Sequence, residues 1–261
     1  ILGGLVRHGH PDTALLVIEP WDEQRQRLSA QFPGVALLTD ASEPMSAPDL
    51  VVWAVKPQVF REAATAAAPF LGQALHLSVA AGITGGSMIR WLRTERIVRA
   101  MPNTPALVGL GMTGLFALAG TSEADRGLVE SVLRTTGELV WVARERDLDA
   151  VTAISGSGPA YVFYFLEAMR DAGARMGLPA DVALKLAVGT FVGASTLAQR
   201  SEDPPQTLRE RVTSKGGTTH AALTTMDAAG LKAKFEEALF AAQKRAEELG
   251  REFGGGLRPR G

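Results

Sequence analysis

Short apolar runs separated by amphipathic segments fill the first part of the chain, and that alternation narrows the fold more than any motif does. The runs stand at 14–19 (ALLVIE), 50–55 (LVVWAV), 75–80 (LHLSVA), 97–101 (IVRAM), 115–119 (LFALA) and 139–142 (LVWV). Between them lie a charged helical stretch at 22–32, an alanine-rich one at 58–68, and helix-like segments at 87–92 and 122–136. Buried-strand runs alternating with helices predict a doubly wound α/β domain, a parallel sheet covered on both faces. After Arg146 the character changes. Residues 147–253 hold no convincing strand, and apolar residues recur at helical spacing, as in Leu231, Phe235, Leu239 and Ala242. Gly177-Leu178-Pro179, Asp203-Pro204-Pro205 and Gly216-Gly217 punctuate the helices.

The reading is therefore a parallel α/β domain over 1–146 and an all-helical domain over 147–261. The helices of the second part are too apolar for a thin monomeric layer, so the faces of 161–199 and 231–249 are expected to be buried against another subunit. The closing GGGLRPRG reads as a disordered tail.

Composition removes several function classes. A formal net charge of −1 over 261 residues offers no basic field for nucleic acid or for an anionic membrane. No cysteine is present, so disulfides, thiolate nucleophiles and Cys-ligated metals are excluded. The four histidines show no metal-ligand spacing, and no metal site is expected. No uninterrupted apolar run reaches the length of a membrane span. With no signal-peptide layout, a cytoplasmic location is expected.

Residues 109–114, GLGMTG, fit the G-x-G-x-x-G pattern of a dinucleotide-binding turn. A true fingerprint follows a buried strand and opens a helix. Here MPNTPALV with its two prolines precedes it and a strand-like run follows, so the stretch is a decoy, a loop entering a strand. The chain instead opens at ILGGLVRHGH, which resembles the end of an amphipathic helix. A βαβ unit of ordinary size would put its first strand and Gly-rich phosphate turn about fifteen residues upstream of Ile1, and such a segment is expected to precede it.

Three stretches can carry chemistry. Ala54-Val55-Lys56-Pro57-Gln58 follows a strand, where open α/β sheets bind ligands; Lys56 can offer a cation or only an apolar stem. Met101-Pro102-Asn103-Thr104-Pro105 holds a polar pair between prolines, as a ligand wall or a plain rigid connection would. In 212–223, VTSKGGTTHAAL, two glycines precede a helix that Thr218 or Thr219 is expected to cap. Free N–H groups at a helix start, with hydroxyls beside them, suit a carboxylate. The helix dipole disfavours a charged His220 there, which argues against it as a base. Ser155-Gly156-Ser157-Gly158-Pro159 lacks the glycine spacing of a nucleophile elbow and reads as a helix break, with Pro159 opening the next helix.

AVKPQ, MPNTP, ISGSGPAY and VTSKGGTTHAAL, in this order and separation, closely resemble the pyrroline-5-carboxylate reductase family over essentially the whole chain. The resemblance implies a Rossmann-type doubly wound parallel sheet followed by an all-helical domain that interlocks in a homodimer, often assembled further into decamers. It implies reduction of 1-pyrroline-5-carboxylate to L-proline with NADPH, or NADH, as the last step of proline biosynthesis. Carried over by residue, Ala54, Val55, Lys56 and Pro57 would line the nicotinamide side of the cofactor, with Ala81 and Asn103 nearby. Ser214, Gly217, Thr218 and Thr219 match the carboxylate-binding turn, with Thr219 also serving the hydride-transfer geometry, and Glu202 matches a glutamate near the substrate.

The chain departs from the family where Asp40-Ala41-Ser42 replaces an asparagine that meets the adenosine ribose, and the Gly-rich phosphate loop is not among these residues. Glu19, at the end of the first run, occupies the position of an acidic ribose ligand that repels a 2′-phosphate. Pro20 could instead turn it away and leave Gln24 or Arg25 to meet the phosphate. Two other readings share parts of this layout. A β-hydroxyacid or 6-phosphogluconate-type dehydrogenase would need a catalytic lysine, and Lys185 lacks the Gly-x-x-x-Lys-x-x-Asn setting. A catalytically silent NADP-binding oligomer would have no need of the GGTT turn.

Overall fold

The computed structural model describes residues 1–41 and 48–254; Ser42 and the tail beyond Gly254 lie outside the described residues. The chain runs through α1 (Leu2–Arg7), β1 (Leu16–Ile18), α2 (Asp22–Gln31), β2 (Ala36–Leu38), β3 (Leu50–Trp53), α3 (Pro57–Ala67), β4 (Leu75–Ser78), α4 (Gly85–Leu92) and β5 (Ile97–Met101). It continues through β6 (Gly111–Ala117), α5 (Glu123–Leu133), β7 (Gly137–Trp141), α6 (Asp147–Val151) and a π-helical turn (Thr152–Gly156). The remainder is helical, with α7 (Gly158–Arg175), α8 (Ala180–Arg200), α9 (Pro205–Arg211), α10 (Thr218–Ala228) and α11 (Leu231–Phe253). Two compact units result, Ile1–Gly156 with the chain from Ala242, and Ser157–Ala241.

In the first unit β1 pairs in parallel with β2, and a five-stranded sheet has the order β3-β4-β5-β6-β7. Among the described residues β1 and β3 are each bonded along one side only. Every position of β4 is buried, which explains why LHLS reads as a continuous rather than alternating run. On one face Phe60, Ala64, Met88 and Leu92 from α3 and α4 close the core; on the other, Val129 and Leu133 of α5 pack with Leu75, Leu77, Val98 and Leu115.

The expected parallel sheet is broken once. β6 runs antiparallel to β5, with Met101 opposite Gly114 and Val98 opposite Ala117. The connection 102–110 holds only the 3-10 turn Thr104–Val108, too short for the helical crossover that parallel neighbours require. GLGMTG therefore enters β6 and opens no helix, as its flanks indicate. β2 escapes sequence reading because three residues, ALL, are too few to show a period.

His76 lies in this core, 2% exposed, accepting a hydrogen bond at Nδ1 from Trp53 Nε1 at 3.1 Å. Burial, with the Arg96 charge as a smaller cause, lowers its pKa from 6.5 to about 4. The folded state thus resists a proton that the unfolded chain accepts. The stability this represents is whole above pH 6.5 and is lost as pH falls toward 4, about 3 kcal/mol in all. Urea unfolding at pH 7 and pH 4.5 should show a steeper loss in the wild type than in His76→Gln. Equal losses would mean that His76 is not the linked group.

The second unit is built on the α7–α8 hairpin. Gly173 is required where the helices meet, because a Cβ there would stand 2.7 Å from Ala183 Cβ. Tyr161 and Phe165 pack edge-on against Phe235 at centroid separations of 5.7 and 5.8 Å. Most of α8 remains open, since its buried residues are Ala183 and Ala187. Val192 is 62% exposed and Leu186 57%, with Phe163 and Tyr164 of α7 also bare. By length and composition alone α8 is long and apolar enough to cross a membrane, although its apolar run is interrupted. Lys185, Thr190 and Ser195 interrupt the apolar run without lowering its average enough to exclude a span.

Candidate functional site

In the first unit the candidate cofactor residues sit where parallel strands end. β3 delivers Ala54 and Val55 to the turn in which Lys56 is N-cap and Pro57 the first residue of α3. Proline suits that place because its fixed φ is helical and it has no N–H to leave unpaired. β4, the parallel neighbour of β3, delivers residues 79–84, with Thr84 capping α4 by accepting from Ser87 N–H at 3.3 Å. Lys56 Nζ stands 5.5 Å over the Trp21 ring, so the structure brings the ends of β1 and β3 together. Trp21 escaped the sequence reading, although its place two residues after Glu19 was a usable signal.

Glu19 accepts a hydrogen bond from Trp21 N–H at 3.0 Å through Oε1. Arg25 is committed locally: it donates to the Glu19 and Pro20 carbonyls at 2.9 and 2.8 Å and pairs with Asp22 at 2.8 Å. Asp40 accepts from Thr39 Oγ1 at 3.2 Å, and Ala41 packs on the core. Asn103 uses both ends of its amide within the protein. Its Oδ1 accepts from Met112 N–H at 2.9 Å, while Nδ2 donates to the Ser155 carbonyl at 3.2 Å. The side chain thus ties the MPNTP turn to β6 and to the π-helical turn, a structural role that spacing does not reveal. Ala81 lines a small cleft with Gly82, Arg99, Met101, Asp149 and Thr152. Adjoining strand ends, a cation at their rim and an acidic residue after β1 form a donor set that fits a dinucleotide.

The second unit holds the threonine turn. Gly217, not a threonine, is the N-cap of α10, and no side chain caps the helix. The expected Thr cap fails because the helix begins one residue earlier, placing Thr218 and Thr219 inside the first turn. Gly217 N–H bonds the Ser214 carbonyl at 3.0 Å and closes the turn. The N–H groups of Thr218, Thr219 and His220 belong to the first turn, where helices offer unpaired donors. Among the described residues the Ser214, Thr218 and Thr219 hydroxyls also have no protein partner, whereas Thr213 bonds back to the Arg209 carbonyl of α9 and Thr224 and Thr225 to carbonyls of α10. Donors and hydroxyls are thus free together at a helix start, which favours an anion. Glu202 lies exposed between α8 and α9, beside Asp203, which pairs with Arg211.

Ser155-Gly156 does not break the helix outright. The chain passes from α6 through the π turn to α7, which Gly158 opens, so Pro159 stands at its second position, one later than expected. A Cβ at Gly156 would stand 2.7 Å from Met101 Cε, so the π turn lies close over the end of β5.

A Rossmann-type sheet with ligand-ready strand ends, followed by a helical region with an anion-ready turn, defines a dinucleotide-dependent oxidoreductase. Residues 145–249 match the family model described as pyrroline-5-carboxylate reductase dimerisation. The pyrroline-5-carboxylate reductase of Pseudomonas aeruginosa is 41% identical over 256 residues, 97% of this chain and 93% of that protein. The solved structure of the Coxiella burnetii reductase has a TM-score of 0.88 at 35% identity, covering 95% of this chain and 93% of that one. The Plasmodium falciparum enzyme, solved with NADP bound, has a TM-score of 0.76 at 30% identity, covering 83% of each chain. This chain belongs to the pyrroline-5-carboxylate reductase family.

Proposed function

We propose that the protein reduces 1-pyrroline-5-carboxylate to L-proline, the last step of proline biosynthesis, as a cytoplasmic homodimer using NADPH or NADH. Residues 1–146 would bind the dinucleotide, and 147–261 would bind substrate and pair the subunits. The observation that carries the substrate assignment is the start of α10, where no side chain caps the helix and where, among the described residues, the threonine hydroxyls have no protein partner. Ser214, Gly217, Thr218 and Thr219 hold the substrate carboxylate there, and Glu202 serves the substrate end of the site. Ala54, Val55, Lys56, Pro57 and Ala81 meet the nicotinamide side, Asn103 keeps its wall rigid, and Glu19 meets the ribose.

The bound cofactor supplies the hydride. The protein's part is to fix the imine by its carboxylate, so that two bound reactants meet in one geometry. An imine nitrogen protonated from solvent makes the ring carbon electrophilic, so no strong acid has to be built from side chains. A turn of amides and hydroxyls suits that division of labour. Oxidation of NADPH and of NADH with pyrroline-5-carboxylate tests the assignment directly. Turnover with both cofactors is expected, and none with either would end it.

Glu19 sets the cofactor ratio in this reading. Its carboxylate and that of Asp22 stand after β1, and Arg25 is already bonded to local carbonyls and to Asp22. No free arginine from this turn answers a 2′-phosphate, so the preference for NADPH should be weak. Glu19→Ser should raise the NADPH/NADH ratio of kcat/KM by about fivefold, the effect of about 1 kcal/mol from one solvent-screened charge. An unchanged ratio would place Glu19 away from the ribose.

A further inference from the structure

Loop 79–84, which carries Ala81, is gripped from several sides by residues with no role in the chemistry above. Glu145, between β7 and α6, accepts two hydrogen bonds at one carboxylate oxygen. Gly85 N–H, the first donor of α4, is 2.5 Å from Oε1, and Arg99 Nη1 of β5 is 2.7 Å from the same atom. The Arg99 side chain is 12% exposed and that of Glu145 33%, so the pair is partly withdrawn from water. A carboxylate at the start of α4 also meets the positive end of the helix dipole.

The end of α11 holds the same region. Gly82, at φ +74°, would place a Cβ 3.1 Å from the Leu249 carbonyl oxygen, so a side chain there would be strained in its backbone and would crowd the helix. The Gly254 carbonyl accepts from Ser87 Oγ and, at 3.0 Å, from Arg90 Nη2. Ala80 and the fully buried Ile83 anchor the loop in the core, and Glu145 supplies the charged bond at its exit into α4.

We propose that Glu145, held by Arg99, is a positioning residue for the cofactor: it pins the start of α4 and thereby fixes loop 79–84 where Ala81 meets the nicotinamide. The inference rests on the reading that Ala81 lies against the cofactor. Removing the carboxylate frees Gly85 N–H and leaves Arg99 without its partner, and a shift of about 1 Å in the loop is enough to weaken a positioned ligand.

The test is NADPH binding by the full-length protein, followed by the fluorescence of NADPH itself, with steady-state kinetics alongside. Glu145→Ala should raise the Kd for NADPH about tenfold, the effect of losing one charged hydrogen bond. Glu145→Gln keeps an acceptor for Gly85 N–H and should stay within about threefold of wild type. In both variants the KM for pyrroline-5-carboxylate should stay within about twofold, a split that general destabilisation would not produce. Wild-type NADPH affinity in Glu145→Ala would overturn the proposal, as would Glu145→Gln binding as weakly as Glu145→Ala. Ala81→Phe separates the two levels of the argument. If it leaves NADPH binding unchanged, the placement of the cofactor at this loop has failed; if it abolishes binding while Glu145→Ala does not weaken it, only the role of Glu145 has.

Discussion

Placing glutamates at Leu186 and Val192 together should convert the protein to a monomer and lower kcat/KM by at least about a hundredfold. Both side chains are more than half exposed on α8, a helix whose buried residues within its own chain are Ala183 and Ala187. Residues 145–249 match a dimerisation model, and an obligate interface of that kind buries more than about 2,000 Å². In a two-fold interface each new charge occurs twice, and an unpaired buried charge costs several kcal/mol. Without its partner the α7–α8 hairpin would leave Phe163, Tyr164 and Leu197 in water, which removes the support for the helices that carry Glu202 and the threonine turn. Light scattering at micromolar concentration, with activity measured on the same sample, checks this. A double variant that remains dimeric, or a monomer of full activity, would show that this face is not the subunit contact.

Thr219→Ala is the second large effect, and the structure sharpens it. The hydroxyl does not cap α10, whose N-cap is Gly217, so its loss should spare stability. A lost cap would cost about 1 kcal/mol, and that penalty is not expected here. What is lost is a hydrogen bond to a charged ligand, worth about 1.5–3 kcal/mol, or about tenfold to a hundredfold in kcat/KM. Thr219→Ser should recover most of the rate, and His220→Ala should stay near wild type. Near-normal kinetics for Thr219→Ala, or an inactive His220→Ala enzyme, would show that the carboxylate binds elsewhere.

The helical period of Leu231, Phe235 and Leu239 and the dense apolar run of β4 were legible because burial selects residue type one position at a time. The same holds for the order of AVKPQ, MPNTP and GGTT, which carries the family. The decoy GLGMTG could be dismissed from Pro102 and Pro105 ahead of it, since their geometry is local. None of these signals depends on what lies across the fold.

Pairing and partnership do depend on it. Nothing in GMTGLFA states that β6 runs against β5; the short 102–110 connection decides it by what the backbone can span. Nothing in the composition marks Lys56 as lying over Trp21, Asn103 as bonded to Met112 and Ser155, or Glu145 as the acceptor at the start of α4. Those contacts join residues distant in sequence, and their energy comes from groups that only folding brings within a hydrogen bond or ring contact. The cap of α10 shows the limit at short range too: TT before a helix suggests a threonine cap, yet the helix begins a residue earlier and leaves both hydroxyls free. Residue types and local periods thus determined which segments are buried and which family they belong to. Tertiary structure decided which polar groups are consumed by the fold and which stay free for a ligand, because a hydrogen bond satisfied inside the protein is no longer available at a site.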